Sequence, residues 1–278
     1  MISKLTAATR VRVISALVAA TSLFAIIKYS GYIGIAITSF FISLLALMEY
    51  GRMTMVGPRY KVARQYFVVL GLLAFVASIE RNDWILHSFV LSALLIFVLF
   101  LLIARDVTAP LEELVNKAGL CLLGILYAGV CPVYIALLAK LSGRLEWFIF
   151  TFFVIFTGDT VAYFVGRKYG KSTLFTRISP NKSIEGAIGS LFGSVIVGLS
   201  IRAFLLPQTD IFLMLALCVL TSVVAQLGDL CESLIKRSFH TKDSGNIMPG
   251  HGGLLDRVDG ILFGAPLVYI YAKYVVLS

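Results

Sequence analysis

The feature that most restricts what this chain can become is a succession of apolar runs, roughly 15–22 residues each, divided by short basic segments. In hydrocarbon such runs satisfy their backbone hydrogen bonds as helices. A soluble core cannot absorb them, because 59% of the residues are hydrophobic and 14% charged, against roughly 45–50% and about 25% in soluble domains. The chain therefore reads as an all-α, polytopic transmembrane helical protein of about nine spans. The expected spans are Val13–Tyr29, Tyr32–Leu47, Tyr66–Ile79, Trp84–Ala104, Ala118–Ala139, Trp147–Val165, Ala187–Leu206, Ile211–Leu227 and Gly260–Val276. The first run follows Lys4, Arg10 and Arg12 as a signal peptide would, but no small-residue cleavage site separates it from the next run, so it is expected to be retained as a helix.

Basic residues supply the orientation. Sorted by alternate loops, eighteen of the 24 Lys and Arg residues collect on one side, leaving Lys28, Arg81, Lys140, Arg144, Arg202 and Lys273 opposite. By the positive-inside rule the crowded side, which includes the N-terminus, is cytoplasmic. The net charge of +9 mainly reflects those loops and would equally suit anionic lipid and nucleotide phosphates. Cys121, Cys131, Cys218 and Cys231 lie in or beside apolar runs without C-x-x-C spacing, so neither disulfides nor zinc are implied. The two longest polar stretches of the second half, Gly166–Gly186 and Gly228–Asp259, both fall on the cytoplasmic side. This separates residues 1–144, N-terminal helices legible by hydropathy only, from residues 145–278, a C-terminal transmembrane region that carries the polar chemistry.

The strongest constellation starts where the eighth run leaves the membrane. On a continuous helix Gln226, Asp229, Ser233 and Lys236 share one stripe, flanked by Glu232 and Arg237. Such a stripe is either a solvated helix end laced with ion pairs or a functional face, and ionisable groups near membrane depth favour the second. The next segment, Lys242 to Gly260, packs glycines, cations and acids beside the last run. Glycines let backbone amides approach phosphate closely, and Asp256 and Asp259, one turn apart, offer hard oxygen ligands suited to Mg²⁺. His251 reads as a hydrogen-bonding loop residue, since no second His or Cys nearby completes a metal site.

Upstream, Asp159 lies roughly 9 Å inside the cytoplasmic end of the sixth helix at ~1.5 Å per residue, where an unpaired carboxylate would cost about 2.5–3.5 kcal/mol. It is expected to face a polar cavity, either in a structural pair with a basic residue or in a catalytic role. Gly166 to Ser172 lacks the spacing of a P-loop and follows a membrane helix instead of a strand. Ser179-Pro180 reads as a helix start, with Lys182 and Glu185 one turn apart and available to a phosphate and a cation, or to each other.

Together these segments resemble the phosphatidate cytidylyltransferase family. The signature positions are Ser233, Lys236, Arg237, Lys242, Asp243, Gly245, Pro249, His251, Gly252, Gly253, Asp256, Arg257 and Asp259, preceded by the related elements Ser179–Gly186 and Gly228–Ser233. Met248 and the pair Phe239-His240 depart from the usual residues without removing a charged group. The resemblance covers roughly Phe156 to Gly260 and carries no residue from the first half.

What the resemblance implies is transfer of CMP from CTP to phosphatidate, giving CDP-diacylglycerol and pyrophosphate in phospholipid biosynthesis. It implies Asp229 and Asp256 as ligands of Mg²⁺, a second and monovalent cation, and catalytic roles for Asp229, Asp256, Lys236, Lys242 and Ser233. Lys182, Glu185, Arg237, His251, Gly252, Gly253, Arg257 and Asp159 are the implied substrate-binding positions. The expected partners are the two substrates and the lipid bilayer, with a homodimer compatible and no nucleic acid, in a bacterial cell membrane with the site on the cytoplasmic side. A CTP-dependent lipid-alcohol kinase and a transporter are the alternatives; a CDP-alcohol phosphotransferase would need a D-G-x2-A-R array that is absent. The kinase should release CDP, and the transporter should release no pyrophosphate.

Overall fold

The computed structural model describes residues 7–106, 109–141, 145–247 and 252–276, with residues 7–28, 82, 106 and 276 as backbone only. Within them the chain is almost wholly helical: α1 (Ala7–Thr54), α2 (Lys61–Glu80), α3 (Ile85–Asp106), α4 (Leu111–Gly124), α5 (Cys131–Leu141), α6 (Glu146–Tyr169), α7 (Ile184–Leu205), α8 (Ile211–Ser238) and α9 (Leu255–Tyr271). A short antiparallel hairpin, β1 (Thr173–Phe175) with β2 (Ser179–Ser183), joins α6 to α7. Eight stretches of the described residues are long and apolar enough to cross a bilayer, and they coincide with the second to ninth expected spans. The expected first span, Val13–Tyr29, falls on the stretch described by backbone only and lies outside that comparison. Phe204 and Phe212 are 85% and 78% exposed; large apolar side chains turned outward along such helices belong to a surface solvated by lipid.

The chain gathers into two compact units. One contains the helices up to Ala136 together with Asp243–Arg257; the other contains Leu137–Lys242 and the chain from Val258. In the first, α1 is broken at Gly31, whose φ of 52° and ψ of −134° lie outside the helical region. That break falls between the first two expected spans. Gly71 and Gly129 bring α2 and the α4–α5 segment to backbone contact: a Cβ on Gly129 would lie 3.1 Å from the Gly71 carbonyl oxygen. Between α4 and α5 the helix widens into a π turn at Ile125–Val130. Pro132 follows, and its missing N–H removes the donor that the Ala128 carbonyl would meet in an unbroken helix. The Ser43 hydroxyl of α1 donates to that carbonyl instead, at 2.8 Å, so the break leaves no bare acceptor in a medium that offers none.

In the second unit α7 presents a seam of buried small residues, Gly186, Gly189, Ser190, Gly193, Ser194 and Gly198. The seam allows α6 and α8 to approach closely. The Ser194 hydroxyl donates to the Val154 carbonyl of α6 at 2.9 Å, and the Ser190 and Ser222 hydroxyls meet at 3.2 Å between α7 and α8. The α7 start corrects the sequence expectation. Ser179-Pro180 opens a strand, and the cap is Ser183, whose hydroxyl oxygen accepts the Gly186 N–H at 3.1 Å. The reason is the hairpin: pairing with β1 holds residues 179–183 extended, and the Ile184 amide still donates to Ser172 before the helix takes over.

Candidate active site

In the second unit the polar groups converge on α8. At 1.5 Å per residue its length is about 42 Å, more than the ~30 Å hydrocarbon thickness, so its last turns extend past the apolar core. Asp210 caps its start by accepting from Phe212 and Leu213 amides. Toward the far end, carboxylate oxygens of Asp229, Glu232 and Asp259 lie within 4.8 Å of one another. Two lysines are drawn in. Lys182, on β2, pairs with Asp229 Oδ2 at 2.5 Å, and Lys236 pairs with Glu232 one helical turn away. Asp159 of α6 is within electrostatic reach of Asp229 and Lys182, and Asp259 of all three. Three carboxylates thus meet beside two ammonium groups, all donors are oxygen, and such a set fits a hard divalent cation.

The predicted α8 stripe is present. The Ser233 hydroxyl donates to Asp229 Oδ1 at 3.4 Å, and Gln226 reaches the Ser222 hydroxyl and the Ala187 carbonyl of α7. Glu232 and Lys236 are buried, so this helix end is not simply solvated. Arg237 is exposed and donates to the Ile178 and Thr241 carbonyls, bracing the hairpin turn against the end of α8. Beside it a groove of about 600 Å³ is lined by Leu174, Phe175, Arg177, Ile178, Leu234 and Arg237. Lys242 is exposed just after α8. Glu185 does not pair with Lys182: its Oε2 accepts the Lys171 and Ser172 amides at 3.1 and 3.4 Å, while Lys182 turns to Asp229. A carboxylate at the start of α7 thereby fixes the entry to the hairpin.

In the first unit the glycine-rich segment folds around carboxylates. Asp256 Oδ2 accepts the Ser244 amide, the Ser244 hydroxyl and the Gly253 amide at 3.0, 3.0 and 2.9 Å. Gly252 adopts φ +83° and lies so close to Asp256 that a Cβ would sit 3.0 Å from Oδ2. Arg257 is exposed in the first turn of α9, and His251 lies outside the described residues. Sequence reasoning missed Glu49 of α1. Its Oε1 accepts the Leu254 amide at 3.0 Å, and its Oε2 accepts the Leu255 amide at 2.9 Å and the Ser244 hydroxyl at 3.1 Å. The signal was present as an acid at the end of an otherwise apolar run. Asp259, an oxygen donor by its sequence pattern, is the α9 member of the Asp229 group.

The Cytidylyltransferase family profile matches residues 10–275. Phosphatidate cytidylyltransferase of Staphylococcus haemolyticus is 35% identical over 261 residues, covering 94% of this chain and 98% of that protein. Those of Staphylococcus saprophyticus and Staphylococcus aureus are 34% and 32% identical over the same shares. The family profile spans most of both units, and the chain belongs to the cytidylyltransferase family.

Proposed function

We infer that this protein is a phosphatidate cytidylyltransferase, an integral membrane nucleotidyltransferase that transfers CMP from CTP to phosphatidate and releases pyrophosphate. The observation that carries the chemistry is the α8 group, in which Asp229, Glu232 and Asp259 meet the ammonium groups of Lys182 and Lys236. Phosphate monoesters have a second pKa of about 6, so the lipid phosphate arrives as a dianion and attacks the α-phosphorus without a general base. The new P–O bond forms as the bond to pyrophosphate breaks. What the protein must supply is alignment and charge compensation.

Asp229 and Asp259, with Glu232 behind them, are the residues we assign to hold Mg²⁺; Asp256 is a ligand candidate on the resemblance. The ion when bound supplies charge neutralisation at the phosphates. The carboxylate oxygens of Asp229, Glu232 and Asp259 lie within 4.8 Å of one another, which supports a divalent cation there, and a further monovalent one is what the resemblance implies. Lys182, Lys236, Arg237, Lys242 and Arg257 are the assigned phosphate contacts, each able to make charge-assisted hydrogen bonds. Ser233 steadies Asp229 through its hydroxyl. The test is direct. Purified protein in mixed micelles with labelled CTP, magnesium and phosphatidate should form CDP-diacylglycerol with stoichiometric pyrophosphate; release of CDP, or no lipid-dependent pyrophosphate, would refute the assignment.

We further propose that this group faces the cytoplasm, on the strength of the eighteen basic residues that share its side. A lone cysteine placed at exposed Asn181 in a cysteine-free background should react with an impermeant thiol reagent in inside-out vesicles and stay protected in intact cells. The opposite pattern would reverse the topology.

A further inference from the structure

We propose that Glu49 is a positioning residue for the reaction, holding the glycine-rich segment and the first turn of α9 in their working geometry. This rests on the reading of Asp256 and its loop as part of the active site. Glu49 is 1% exposed, and burying a carboxylate without compensation is costly. Among the described residues no lysine or arginine forms an ion pair with it. Its compensation comes from the Leu254 and Leu255 amides and the Ser244 hydroxyl. Leu255 opens α9, and the first amides of a helix have no partner within it and carry partial positive charge. Glu49 therefore caps α9 from a distant part of the chain.

Two glycines are shaped to this carboxylate. A Cβ on Gly253 would lie 2.7 Å from Glu49 Oε2, and one on Gly245 would lie 2.8 Å from its carboxyl carbon. Neither residue could carry a side chain without displacing Glu49 or the loop. The Ser244 hydroxyl, 3.1 Å from Glu49 Oε2 and 3.0 Å from Asp256 Oδ2, ties the two acids through a single proton. Asp256 is thus oriented by a network whose far end is Glu49. The amides of residues 253–255 are also taken by Asp256 and Glu49, so they are not available to substrate phosphate, and side-chain cations must do that work.

The experiment uses full-length enzyme in mixed micelles and compares Glu49→Gln with wild type. The amide keeps the size but loses the charge-assisted bonds and presents an NH₂ to groups that are themselves donors. The expected result is a fall in kcat of about ten-fold or more, since small displacements of reacting groups are expensive. Faster hydrogen exchange should be confined, among the described residues, to 244–247 and 252–256, with the thermal midpoint of the detergent-solubilised protein held within a few degrees. A wild-type kcat, or a loss of activity matched by a fall in the thermal midpoint with no local change in exchange, would overturn the proposal. Should Glu49→Gln fail to fold, Ser244→Ala decides: a smaller loss with the same local exchange signature supports it, and wild-type kcat and exchange overturn it. Failure of the underlying functional reading would look different, as wild-type protein without activity but with residues 244–247 and 252–256 still protected.

Discussion

Asp229→Asn is expected to lower turnover by about a hundred-fold or more, because the hard cation that Asp229 would help to hold depends on anionic oxygen ligands. Asn is nearly isosteric and keeps one carbonyl oxygen, so α8 should remain packed. Two losses combine at this position. The cation group sheds one of its charges, and Lys182, 2.5 Å from Asp229 Oδ2, loses its ion-pair partner. Residual activity should therefore need more magnesium and show a raised KM for CTP. Initial rates across a magnesium titration at saturating CTP and phosphatidate, with size exclusion in detergent to confirm folding, provide the measurement. Near-native rates with an unchanged magnesium midpoint would remove Asp229 from the ligand set.

Gly228→Ala should be nearly as damaging although it touches no charged side chain. A Cβ at this position would lie 2.8 Å from the Asp259 carbonyl oxygen and 2.9 Å from Phe263 Cβ. The nearest obstacle is backbone, so α8 and α9 must separate, carrying Asp229 away from Asp259. Overpacking of this kind costs about 1–3 kcal/mol of stability, and a displacement near 1 Å at reacting groups can cost on the order of a hundred-fold in rate. The internal control is Gly119→Ala in α4, where a Cβ meets nothing within 4 Å; a gain of about 0.5–1 kcal/mol in helix propensity is the only expected effect there. Equal activity and thermal midpoints for the two variants would show that the α8–α9 approach does not set the site.

The membrane helices were legible because hydrocarbon imposes one rule on every segment, and hydropathy reads that rule directly. The stripe on α8 was legible for a similar reason: Asp229, Ser233 and Lys236 continue a helix whose period is known from the apolar part before them. Partnership was not. Lys182 could have joined Glu185 one turn on, but residues 179–183 are held extended by β1, and the same strand delivers the lysine to Asp229. Ser183, not Ser179, caps α7 because the hairpin register decides where helical geometry can begin. Glu49 escaped notice because its partners lie about two hundred residues further along, and no local pattern encodes a cap supplied from that separation. The loop glycines were read as room for phosphate, whereas at Gly245 and Gly253 the space is filled by the Glu49 carboxylate.

The length of α8 has a kinetic consequence. Asp229 stands about 27 Å along the helix from Ile211 at 1.5 Å per residue, near the level where hydrocarbon ends and lipid phosphates reside. A phosphatidate molecule can then present its phosphate to the lysines while its acyl chains stay among the other lipids, and the lipid product has no aqueous step to make. Encounter becomes a two-dimensional search. The rate should follow the mole fraction of phosphatidate in the bilayer or micelle and fall when neutral lipid or detergent is added at constant bulk phosphatidate, whereas CTP, arriving from water, should obey its ordinary volume concentration.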